Sequence, residues 1–236
     1  MALLKYLGSF LILIGVICGC SGQSSNTCRP VLFPYVEYGY KAYTEDLSGS
    51  YTPSKNTKTI ELFGVRWDLP RTWNYEKHGN WGIKFTTDDG RSFALFFKKN
   101  TPFTVDWANF NFIGCEDFKW KNQGTTRTDL DFTTALYLFS DEDLKGEPTF
   151  WQYYILWAKT KQLHDMAKIV HFKGRNLVAF QKNNDPEKLC AHNNIASQVE
   201  IYPKKIAPDS ITIAADFTDD TFFTKMLEML DAMNRQ

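Results

Sequence analysis

With 236 residues, of which 43% are hydrophobic and 23% charged, the chain has the composition of a globular protein with a packed core, not of a disordered or fibrous one. Lys plus Arg and Asp plus Glu both number 27, so no basic stripe draws the chain to a phosphate backbone, and nucleic acid is not among the expected partners.

Met1–Lys5 carries one positive charge and Leu7–Ile17 is apolar. Cys18, Gly19 and Cys20 then lead into the small polar stretch Ser21–Asn26. That order of charged, apolar and small residues is the layout of a secretory signal peptide. An apolar run of about eleven residues reaches ~16 Å, roughly half of a ~30 Å hydrocarbon core, which is too short for a membrane-spanning helix.

Ile17-Cys18-Gly19-Cys20 resembles the lipobox of bacterial lipoproteins, in which an aliphatic residue stands three before an obligatory cysteine with small residues between. Ile17 replaces the commoner Leu, and Cys18 the commoner Ala or Ser. The resemblance implies removal of residues 1–19, a diacylglyceryl thioether on the Cys20 sulfur and, often, a further acyl chain of palmitate type on its amino group. One acyl chain is held only marginally by a bilayer, whereas two or three hold essentially permanently. Ser21, in place of Asp, resembles the signal that sends Gram-negative lipoproteins to the outer membrane, so the expected location is that membrane, facing the periplasm. Loss of Lys5 with the signal leaves 26 basic residues against 27 acidic ones.

Cys18 leaves with the signal and Cys20 is acylated, so Cys28, Cys115 and Cys190 enter an oxidising compartment. An odd number leaves at least one unpaired or bound to another molecule. Cys115 with Cys190 is the preferred bridge, because both lie in segments that read as folded; pairing of Cys28 with either stays open.

Residues 20–57 read as an anchored tether followed by an aromatic, turn-rich segment, and residues 58–236 as the globular domain. Thr59–Leu69 alternates toward Pro70 as one strand. Trp81–Thr86 and Ser92–Lys98 flank Asp88-Asp89-Gly90-Arg91, a hairpin whose Asp-Gly suits a tight turn. Thr101–Gly124 is aromatic and irregular, and Thr128–Phe139 is ambiguous between helix and strand. Ser140 is a candidate cap for a helical turn over Asp141–Asp143. Thr149–Leu163 reads as a helix after Pro148, with Phe150, Trp151, Tyr154, Ile155, Ala158 and Leu163 near a 3.6-residue period. Ile169–Lys173 and Leu177–Gln181 form a second hairpin about Gly174-Arg175-Asn176, and Ser197–Tyr202 and Ser210–Phe217 are further strands. The last element is an amphipathic helix capped by Thr218, with Phe222, Phe223, Met226, Leu227, Leu230 and Met233 on one face. Strands in hairpins with helices elsewhere predict an α+β fold, an antiparallel sheet flanked by helices.

The stretch Val65–Trp73 (VRWDLPRTW) and the closing strand and helix resemble the PsbP-like α/β sandwich, whose early strand often ends in a Pro-x-x-Trp turn. The likeness covers about 35 residues in two pieces. It implies a binding or assembly scaffold.

Catalytic signatures are missing from the sequence. His78, His164, His171 and His192 show no metal-ligand spacing. The acidic pairs Asp88-Asp89, Glu116-Asp117, Asp129 with Asp131, and Asp219-Asp220 each read as turn, loop or cap. No G-x-S-x-G elbow or P-loop occurs. Aromatic residues are the excess, at 16%. Within the predicted helix, Phe150, Trp151, Tyr153, Tyr154 and Trp157 cover more than half its circumference, and Trp151, Tyr153 and Trp157 are the candidate binding residues. The expectation is a non-catalytic binding module of the envelope, without cofactor or metal. Its membrane contact is the lipid anchor and its partner another envelope or secreted protein; an immunity protein against a secreted effector is one special case. The alternative is an envelope hydrolase or thiol enzyme.

Overall fold

The computed structural model describes residues 42–104, 126–140, 143, 149–162, 166–184 and 195–234. The chain divides into two units, and all the described residues belong to the one made of Leu32–Phe110 and Trp120–Gln236. In chain order its elements are β1 (Tyr43–Asp46), β2 (Thr57–Leu62), β3 (Val65–Pro70), β4 (Asn74–His78), β5 (Gly82–Thr86), β6 (Ser92–Lys98), β7 (Phe103–Thr104) and β8 (Thr126–Arg127). They continue with α1 (Asp129–Leu138), α2 (Phe150–Gln162), β9 (Met166–Lys173), β10 (Leu177–Asn184), β11 (Ser197–Pro203), β12 (Ser210–Ala215) and α3 (Asp220–Met233).

The expected α+β class is the one observed. Eight strands form one sheet in the order β1-β9-β10-β11-β12-β6-β5-β4. Every neighbouring pair is antiparallel except β1 with β9, which run parallel. β1 lies upstream of Lys58, where the globular domain was expected to begin. Its four residues are all exposed, so the strand exists through backbone pairing to Val170–Lys173 and leaves no alternation in the sequence. The exposed strand β4 is hidden for the same reason.

The single strand expected over Thr59–Leu69 is a hairpin, β2 paired with β3. Its turn is Phe63-Gly64, with φ of 56° and 74°. Two successive positive φ angles match the twist of the flanking strands. A phenylalanine in the first of those places disguises the turn, since bulky residues rarely adopt this conformation. The hairpins β5–β6 and β9–β10 form where the sequence places them, with β9 beginning at Met166 and β10 extended to Asn184.

Both faces of the sheet are covered, at least in part. On one, Trp67 and Leu69 of β3 and Phe223, Leu227 and Leu230 of α3 pack on Phe85, Leu95, Ile201 and Ile213. Trp67 is fully enclosed there, its indole N–H donating to the Leu62 carbonyl at 3.3 Å. The N-cap of α3 is Asp219, not Thr218: its carboxylate accepts from the Phe222 N–H at 2.9 Å. On the other face, Leu136 and Tyr137 of α1 and Ala158 of α2 pack on Ile169, Phe180 and Tyr202.

The ambiguous segment is helical from Asp129 because Thr128 and Asp131 form a reciprocal capping box, each satisfying the other's backbone N–H. The C-terminal cap of α1 is completed from elsewhere. Lys159 of α2, almost fully buried, donates its ammonium to the Phe139 carbonyl at the end of α1, where a cation also suits the helix dipole.

Candidate functional site

Arg127 closes β8 immediately before the capping box, so the strand and the helix turn it toward the start of α2. There its guanidinium carbon lies 5.0 Å from the centre of the Trp151 ring. Trp151 is half-buried, stacked on Tyr154 at 5.7 Å and edge-on to Phe132 at 6.4 Å. Burial raises the Tyr154 phenol above its usual range. The indole is therefore held by a cation and two rings, each from a different turn of structure.

Beside it an open groove of about 740 Å³ runs along α1, bordered by Arg127, Asp143 and Trp151. Leu130, Ala135, Leu138, Phe139 and Trp151 supply apolar surface, and Arg127, Asp131 and Asp143 supply charge. Asp131 is already engaged in the helix cap. Asp143 accepts from the Ser140 N–H at 2.8 Å and its own N–H donates to the Ser140 carbonyl at 3.1 Å; the Ser140 hydroxyl donates to the same carboxylate, and Asp141 and Glu142 of the expected turn lie outside the described residues. The Nε of Arg127 is enclosed and has no hydrogen-bond partner among the described residues. Apolar and charged side chains thus meet along one open surface groove.

Of the expected binding residues, Trp151 lines this groove. Tyr153 and Trp157 belong to α2, but their side chains lie outside the described ones. Cys20, Cys28, Cys115 and Cys190 also lie outside the described residues, so neither the lipidation site nor the Cys115–Cys190 bridge is on view. Arg127 was not anticipated. Its role depends on where β8 ends relative to α2, about two dozen residues later, and no local pattern marks it.

The acidic pairs have structural partners. Asp88 accepts from Thr72, Asp89 meets Arg91 at 2.7 Å, Asp219 caps α3 and meets Arg91 at 2.9 Å, and Asp129 meets Lys98 at 3.1 Å. Asp220 lies in a polar cluster with Lys168, Gln181 and Asn183. Burial pushes its pKa up, but hydrogen bonds from those three side chains outweigh it and leave the carboxyl below its usual range. Glu116 and Asp117 are outside the described residues.

Between α1 and the sheet, Thr133, Glu200 and Tyr202 share hydrogen bonds of 2.8 to 3.3 Å. Burial, then the Glu200 charge, raises the Tyr202 phenol far above its normal value. His171 is buried against Phe180 at 4.8 Å, and His78 is exposed on β4; His164 and His192 are outside the described residues. Among the described residues no group of three or more His, Cys, Asp or Glu is placed to hold a metal, and no helix is long and apolar enough to cross a membrane. Compared with protein families, with curated proteins and with solved structures, the chain matches none.

Proposed function

We propose that the protein is a lipid-anchored component of a bacterial envelope, held at the periplasmic side of the outer membrane through Cys20, and that it works as a non-catalytic binding module. The observation that carries the binding role is the α1 groove, whose apolar wall and Arg127–Trp151 cation–π pair suit a protruding segment of another envelope or secreted protein. Arginine and tryptophan are the side chains most enriched where truncation weakens protein interfaces. A guanidinium held over an indole loses little freedom when it donates to a partner's carbonyl or carboxylate.

Supporting the anchor is the charged, apolar, small sequence order ending in Ile17-Cys18-Gly19-Cys20. Two experiments test the halves separately. Labelled palmitate enters the wild type and not Cys20→Ala; equal labelling of both removes the anchor. A photo-crosslinking residue at Thr134, inside the groove, captures one protein in intact cells, and the adduct disappears in Trp151→Ala. An adduct indifferent to Trp151, or none above background, overturns the groove as the binding site.

A further inference from the structure

We infer a second binding surface, independent of the α1 groove: a platform built by Trp81 and Phe96 for the pyranose ring of a glycan. Trp81 is 60% exposed, although tryptophan is highly buried on average. Its ring stacks on Phe96 with centres 5.7 Å apart and planes 15° apart. The two rings overlap with an offset, and most of the Trp81 side chain is left to solvent.

The backbone makes room for this arrangement at two glycines. A Cβ on Gly82 would stand 3.3 Å from the Phe96 ring, and one on Gly79, where φ is +62°, would stand 3.2 Å from the indole nitrogen. Both approaches are tighter than ordinary contact. The Phe97 N–H donates to the Trp81 carbonyl at 2.9 Å, which ties the residue to β6. An aromatic ring held rigidly in water contributes contact area at little entropic cost on binding.

Strand register supplies the polar rim. Gly82 is opposite both His78 and Phe96, and the next row runs Glu76, Lys84, Ala94. Alternate residues of a strand share a face, so His78, Glu76 and Lys84 stand on the same side as Phe96. All three are exposed.

A sugar ring has an apolar C–H face that suits the negative face of an indole. Its hydroxyls each donate and accept, matching a rim that mixes acid and base. An anionic lipid surface calls instead for uniformly basic neighbours, which Glu76 spoils.

The test is affinity electrophoresis of the full chain in detergent through gels containing glycol chitin, dextran or galactan. At least one polysaccharide retards the wild type. Trp81→Ala raises the apparent dissociation constant by about tenfold or more, while Trp81→Tyr retains most of the retardation. Because Trp81 lies outside the core, Trp81→Ala keeps the wild-type thermal transition, which separates lost binding from lost fold. No retardation by any of the three, or equal retardation of Trp81→Ala, overturns the platform. So does Trp81-dependent binding to phosphatidylglycerol vesicles in the absence of any sugar effect. Failure of the Thr134 crosslink leaves this test untouched.

Discussion

The guanidinium of Arg127 lies over the Trp151 ring at 5.0 Å, joining the last residue of β8 to the first turn of α2. Stacking of this kind contributes roughly 0.5–2 kcal/mol, depending on how far it is desolvated. Lysine keeps the charge but lacks the planar fork. Arg127→Lys and Arg127→Ala are both expected to weaken partner capture in the groove, Ala by about tenfold, an energy of ~1.4 kcal/mol. Quantified crosslink yield at Thr134 across a partner titration measures it, and wild-type yield from both variants would count against the groove.

His171 makes stability depend on pH. Burial, aided by the Lys173 charge and opposed by Asp46, holds its imidazole below the usual range. The unfolded chain binds a proton that the folded chain resists, so this contribution is complete above the unfolded value of about 6.5 and declines as pH falls toward the lowered folded value. The melting temperature therefore drops on going from about pH 7.5 to about pH 5, and His171→Leu flattens that slope. A slope identical in the two proteins would refute the assignment.

Asp231 fastens α3 to the β9–β10 turn. Its Oδ1 accepts from the Asn176 and Leu177 N–H groups at 2.7 and 3.2 Å, while its own carbonyl accepts from the Asn176 amide. A Cβ on Gly174 would fall 2.2 Å from that same Oδ1. Asp231→Ala strands buried donors and costs about 1–3 kcal/mol in urea unfolding. Gly174→Ala alone is also destabilising, but the double variant loses less than the two single losses together, because shortening Asp231 clears the space. Strict additivity would mean that the clash is relieved in some other way.

Asp219 caps α3 and meets Arg91 across the sheet end. Its carboxyl lies below the usual range, chiefly through the Phe222 N–H and then Arg91. Stability from this group is present above the unfolded value of about 3.9 and is lost as pH falls below it. Asp219→Ala is expected to cost about 1 kcal/mol at neutral pH, a fall of roughly 2–4 °C in Tm by calorimetry. Asp219→Asn, which still caps, should recover most of it.

The expected bridge predicts thiol stoichiometry. Alkylation of the unreduced, lipidated protein followed by mass spectrometry leaves one free thiol among Cys28, Cys115 and Cys190, with the other two joined. Three alkylated thiols would reject the bridge.

Elements with their own local signature were legible in the sequence. Alternation about Asp88–Arg91 and Gly174–Asn176 marks hairpins, and the spacing of Phe223, Leu227 and Leu230 marks the buried face of α3, because burial on one side imposes a period on the chain. The α+β class follows from those elements. Elements without a buried face left no such period: β1 and β4 are exposed throughout, and the Phe63-Gly64 turn hides behind an aromatic residue. The candidate site divides the same way. Trp151 stood out because aromatic residues crowd one stretch of helix, whereas Arg127 and the platform of Trp81 on Phe96 depend on segments brought together by the sheet. Local sequence determines which residues must hide from water; only the completed sheet decides which of the remaining side chains meet, since those contacts join residues whose separation along the chain carries no periodic trace.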